Sequence, residues 1–158
     1  EVAEYFDELN KLHAIRWEEG CFVGLSLEFH KRFISLLDSS QKVRFSGLQL
    51  NGQFESILYD VEAGDKIYNL QSGFNEQYDK KVSLGSLHIG YAIERAFNDP
   101  NIRQYDLLAS GGKNTFYKQH FKGDSVEFFT VVLVRNPMLK LVYSAKQRLV
   151  TLLRRSNT

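Results

Sequence analysis

The stretch from Asp65 to Phe97 constrains the fold most, because it sets a strand, a polar loop and a helix in direct succession. Lys66-Ile67-Tyr68-Asn69-Leu70-Gln71-Ser72-Gly73-Phe74 reads as the strand, and the loop reaches Ser83-Leu84-Gly85-Ser86. The helix then carries Leu84, Leu87, Tyr91 and Ala92 along one side. Where a chain enters a helix, the first backbone N–H groups lack intrahelical partners and the helix end carries partial positive charge. A Ser/Gly loop at such a junction holds either a phosphate or carbonyl oxygen, or only water.

The flanking chain fixes how this unit is embedded. Val2, Tyr5, Phe6, Leu9, Leu12 and His13 fall at three- and four-residue steps and predict a first helix over residues 2–15. Arg16 to Phe22 reads as a turn anchored by Trp17. Ser26 is the expected N-cap of a second helix, with Phe29, Phe33, Leu36 and Leu37 as its buried stripe. From Gln41 the period drops to two, with Val43 and Phe45 alternating with Lys42, Arg44 and Ser46. Asn51-Gly52 favours a type I′ hairpin turn, so Gln53 to Val61 returns antiparallel, and a turn at Glu62 to Asp65 completes a three-strand meander.

After the central helix, closed by Asn98-Asp99-Pro100, Tyr105-Asp106-Leu107-Leu108-Ala109 is a short strand. A strand-helix-strand crossover is nearly always parallel and right-handed, which sets this strand beside 66–74. Ser110-Gly111-Gly112 is a loop, and Asn114 caps a short helix carrying Phe116, Tyr117, His120 and Phe121. Val126 to Val134 reads as the most apolar strand. Asn136-Pro137 opens a final amphipathic helix over 137–155. The order α-α-β-β-β-α-β-α-β-α predicts one α/β (α+β) domain over 1–158, with a mixed sheet, a meander, one parallel crossover pair and flanking helices.

Composition narrows the class. At 43% hydrophobic and 25% charged residues the chain is ordinary for a soluble globule, and no apolar run approaches the ~20 residues of a membrane span. A single cysteine, Cys21, excludes an internal disulfide and fits a reducing, cytoplasmic setting. His13, Cys21, His30, His88 and His120 have no metal-ligand spacing, so no metal site is expected. A net charge of +1 gives no global steering, but residues 136–158 contain no acid and carry Lys140, Lys146, Arg148, Arg154 and Arg155. This helix is either a solvated face or one that lies on anionic lipid or RNA. A start at Glu-Val-Ala, without Met, reads as a piece of a longer protein, its N-terminal part missing.

The meander, the loop-helix crossover and the Asn-to-Phe helix together resemble the GNAT superfamily of acyl-CoA N-acyltransferases without its first strand. Asn114-Thr-Phe-Tyr117-Lys118-Gln-His-Phe121 is similar to that family's segment with an Asn opening a short helix and a Tyr within it. Leu12-His13-Ala14-Ile15-Arg16-Trp17, Ser83-Leu84-Gly85, Asp106 and Tyr117-Lys118 also resemble, in order, the branch of cellulose-biosynthesis (CelD-like) acetyltransferases. The family's phosphate loop carries two or more glycines, whereas this loop has Gly85 alone, and the family's last strand has no counterpart.

The resemblance implies transfer of an acyl group, acetyl first, from acyl-CoA to an amine. Such a reaction needs a polarised carbonyl, a deprotonated amine and a protonated leaving thiolate. The donor pyrophosphate would lie on the N–H groups of Gly85, Ser86 and Leu87 in the Ser83 loop, with Lys80 or Lys81 adding charge unless these are merely solvated cations. Tyr117 is the implied general acid, or else an amphipathic core residue. His13 is a base or a packing histidine, Asp106 a catalytic carboxylate or a loop cap, and Lys118 pairs with a carboxylate or a phosphate. Arg16 and Trp17 read as a clamp before an acceptor contact, and Cys21 as an inert apolar residue. The partners implied are acyl-CoA, an amine-bearing small molecule, sugar or peptide, the N-terminal part of the same chain, and a homodimeric copy. The alternatives are a Fem-type aminoacyl-tRNA-dependent transferase, through which nucleic acid would enter, and a non-catalytic interaction module.

Overall fold

Phe6, Leu9 and Leu12 recur at the helical period and organise the first layer of the protein. In the computed structural model they are the buried face of α1, Val2–Trp17. The structure describes residues 2–38, 40–79, 81–108, 118, 120–129, 131 and 133–155, the side chains of 147–155 excepted. The chain divides into two units, 1–123 and 124–158.

In the first unit α1 is followed by α2 (Leu25–Leu36), β1 (Gln41–Leu50), β2 (Gln53–Ala63), β3 (Lys66–Phe74), α3 (Leu84–Phe97) and β4 (Gln104–Asp106). The sheet order is β1-β2-β3-β4, with the first two pairings antiparallel and the last parallel. This is the expected mixed sheet. Asn51 and Gly52 take φ of 54° and 80°, the left-handed pair that closes a two-residue hairpin in step with strand twist.

The two faces of the sheet differ in chemistry. Toward α1, Phe6 meets Phe22, Phe45 and Tyr59 edge-on at 5.3–5.5 Å, and Tyr5 stacks on Phe45 at 5.1 Å. Toward α3, β2 presents the buried Ser56, Asp60 and Glu62 beside a small apolar group of Ile67, Ala96 and Ile102. Asn10 pins the connection between the first two helices: its side-chain amide donates to the Phe22 carbonyl and accepts from the Phe22 N–H, both at 2.8 Å.

Several expectations are corrected. The second helix begins at Leu25 with Gly24, at φ 52°, as its N-cap; Ser26 lies inside the first turn. Its stripe is not buried, since Phe29 and Leu36 are 64% and 72% exposed while Leu27, Phe33 and Ile34 only border the core. The helix lies at the margin of the aromatic layer, where Phe22 and Tyr59 already fill the space behind His30. The first helix runs on through Trp17, half exposed, and Phe22 is the buried anchor instead. The central helix buries Leu84, Gly85, His88, Ile89 and Ala96 but exposes Leu87, Tyr91 and Phe97, so only one side meets the sheet.

In the second unit, α4 (Pro137–Arg155) has the expected cap, the Asn136 side-chain oxygen accepting from the Met138 N–H at 2.9 Å. Among the described residues of 126–134 no strand is formed, and Val126, Phe128, Phe129, Val131 and Leu133 are 70–88% exposed. An apolar, β-branched sequence becomes a strand only where a ladder partner satisfies its backbone.

Candidate active site

The parallel pair is short, and that shortness shapes the site. β3 and β4 pair only at Lys66↔Gln104, Ile67↔Tyr105 and Tyr68↔Asp106, leaving Asn69–Phe74 without a parallel partner among the described residues. The register with β2 slips at the same point, Tyr59 pairing with Gln71 and Asp60 with Asn69, so Leu70 is an extra residue. A bulge of this kind bends and twists its strand, and it lies two residues beyond the last β3–β4 pair. The departing chain is fixed by its own polar groups. The Leu108 N–H, at φ 57°, donates to the Asp106 carboxylate at 2.7 Å, and the Lys118 ammonium donates to the carbonyls of Leu107 and Leu108.

The open end of β3 faces the start of α3. Ser83 is the N-cap without a side-chain cap bond, its hydroxyl donating to Ser86 Oγ at 2.9 Å. The Leu87 N–H is taken by the Ser83 carbonyl at 2.9 Å, whereas those of Gly85 and Ser86 have no acceptor among the described residues. A Cβ at Gly85 would come within 2.7 Å of the Phe74 ring, so only glycine lets strand and helix approach this closely.

The end of α1 reaches the same place. Arg16 pairs with Glu76 at 2.9 Å and lies 5.5 Å from the Phe74 ring centre and 5.0 Å from that of Trp17. His13 stacks on Trp17, and its Nδ1 lies 2.7 Å from the Glu19 carbonyl. A carbonyl only accepts, so Nδ1 carries the hydrogen and Nε2 of the neutral ring holds the free lone pair.

Arg16 at the end of α1 and Gly85 at the start of α3 thus both meet Phe74, with Ser83 and Ser86 beside Gly85; His13 lies against Trp17 on α1, and Asp106 sits at the last β3–β4 pair. Leu87 meets a helical acceptor rather than open space. Lys81 is exposed, its N–H capped by Asp79 at 2.8 Å. Lys118 is turned to backbone carbonyls, and burial lowers its pKa against the raising effect of Asp106. Lys80, Asn114, Phe116, Tyr117 and the Gly111-Gly112 loop lie outside the described residues. Cys21 is half-buried against Asn10, and burial pushes its thiol pKa up, as befits an unreactive thiol.

The sequence reading missed the polar layer beneath α3. Asp60 accepts from Asn69 Nδ2 at 2.7 Å and from the Tyr105 hydroxyl at 2.9 Å, and burial raises its pKa to about 6. His88 bridges Ser56 Oγ at 2.8 Å and Ser46 Oγ at 3.1 Å, and burial lowers its pKa to about 4. Arg44 pairs with Glu62 and Asp99. The available signal was Ser56, Asp60 and Glu62 on one parity of a strand whose other parity carries Ile57, Tyr59 and Val61. Among the described residues no three His, Cys, Asp or Glu side chains gather to hold a metal, and no helix is long and apolar enough to cross a membrane.

The antiparallel meander with one parallel pair and flanking helices is the mixed α/β architecture expected of the fold. A family model described as Acetyltransferase (GNAT) domain matches residues 1–119, and the chain belongs to that family. Comparison with curated proteins and with solved structures gave no match.

Proposed function

We propose that this domain moves an acyl group, acetyl first, from acyl-CoA to an amine by direct attack. The observation that carries this reading is that the Gly85 and Ser86 N–H groups, without acceptors among the described residues, begin α3 beside Phe74, at the end of β3 that β4 leaves unpaired among the described residues. Those donors and the positive helix end suit the donor's pyrophosphate, with the exposed Lys81 nearby and the thioester lying along the unpaired edge of β3. The amine nitrogen bonds to the thioester carbon while His13 Nε2 takes its proton. The carbon–sulfur bond then breaks, and the Tyr117 hydroxyl delivers a proton to the departing thiolate. Asp106 and Lys118 hold the exit of β4 so that the opening persists. The reading extends to one cytoplasmic domain of the CelD-like branch with an amine-bearing sugar, peptide or small metabolite as acceptor.

A second reading, an aminoacyl-tRNA-dependent transferase, is favoured by the acid-free helix over 137–155 with its five basic residues. Thermal unfolding with acetyl-CoA, with aminoacyl-tRNA and with neither separates them. A donor at ~100 times its dissociation constant stabilises by ~2.7 kcal/mol. Stabilisation by acetyl-CoA is expected; stabilisation by aminoacyl-tRNA alone selects the second reading, and none by either selects a non-catalytic module. In a protein that turns over, Tyr117→Phe is expected to cut turnover by about 10²-fold, the scale of a lost general acid. Unchanged turnover would remove Tyr117 from the role.

A further inference from the structure

A cavity of about 400 Å³ lies between β1 and the C-terminal half of α3, away from the opening at the far end of β3. That volume is within the range of small-molecule sites. Its charges are arranged in depth. Asp60, 5% exposed, lines it from β2, and both carboxylate oxygens are held by neutral donors, Asn69 and Tyr105. Neutral donors orient a carboxylate without cancelling its charge. Arg44, opposite Asp60 on β1, lines the cavity too and acts on the carboxylate while sharing its guanidinium with Glu62 and Asp99, so it offsets that charge only in part. Burial pushes the Asp60 pKa up to about 6, and a cation seated beside it would favour its carboxylate form.

Arg95 lines the same cavity from α3 and is exposed, with no ion pair among the described residues. Between these two ends run the aliphatic surfaces of Ile67, Ala92 and Ala96. Buried negative charge, an apolar middle and an outer guanidinium suit a guest of the opposite polarity.

We propose that this cavity binds a small aliphatic zwitterion, its ammonium on Asp60 and its acid group on Arg95. The site is separate from the donor opening and stands whether or not acyl-CoA binds there.

Calorimetric titration of the whole chain with glycine, β-alanine, 4-aminobutyrate and 5-aminovalerate tests it, with butylamine and butyrate as half-ligands. At least one amino acid is expected to bind at least tenfold more tightly than either half-ligand. Arg95→Gln, on an exposed side chain, is expected to weaken that amino acid at least tenfold and leave butylamine unchanged. Ala92→Leu, which extends into the cavity, is expected to abolish binding while the circular dichroism of the fold is kept. Absence of binding by every amino acid overturns the proposal, as does binding that survives both substitutions.

Discussion

Phe6→Ala is expected to destabilise the first unit by about 3–5 kcal/mol, the range for deleting a fully buried aromatic ring. The ring has no exposed surface and stands edge-on to Phe22, Phe45 and Tyr59, so its removal leaves a cavity bounded by groups from α1, the α1–α2 connection, β1 and β2. Those neighbours cannot close inward together without moving the sheet. Phe29→Ala is the control. With 64% of its surface exposed, Phe29 should cost no more than about 0.5 kcal/mol. Urea unfolding of the two variants reads the difference. Equal losses would mean that α2 packs on its phenylalanine stripe after all.

His88→Gln and Asp60→Asn are expected to shift stability in opposite directions with pH. Burial holds His88 near pKa 4, well below its unfolded value of 6.5, so the unfolded chain binds the extra proton between those limits and the native state loses stability as pH falls. Burial holds Asp60 near 6, above its unfolded 3.8, so there the native state binds the extra proton and gains stability as pH falls. Each effect is worth about 3 kcal/mol across its window, and in the wild type they offset between about pH 4 and 6. The facing groups are Ser46 and Arg44 from β1, Ser56 and Glu62 from β2, Asn69 from β3, Arg95 and Tyr91 from α3, and Tyr105 from β4. Relative to wild type, His88→Gln should gain stability as the solution is acidified from pH 6.5 to 4. Asp60→Asn should lose it from pH 6 to 3.8. Denaturant midpoints at half-unit pH steps measure this, and two profiles parallel to the wild type would refute it.

The elements that local chemistry dictates were legible early. Asn51-Gly52 forces a hairpin because both residues accept positive φ, and Asn136-Pro137 opens a helix because the cap oxygen and the missing N–H both suit its first turn. The span of α3, Leu84–Phe97, also follows from its loop and its Asn98-Asp99-Pro100 stop. The candidate site was legible only in part. The Ser83-Leu84-Gly85 junction and the Leu12-to-Trp17 stretch announce themselves as motifs, and Phe74 and Arg16 join them at one end of the sheet.

What the sequence alone determined, among the described residues, is the identity and order of α1 to α3, β1 to β4 and the final helix, but not the apolar run at 126–134, because periodicity, caps and turns act within a few residues; the short helix expected from Asn114 lies outside the described residues. Only the tertiary structure decided which apolar faces were covered, since Phe6 and Phe29 look alike until packing separates them. It also decided that β4 stops after three pairs, and that Asp60 and His88 face a common interior, because pairing and burial depend on residues distant in the chain.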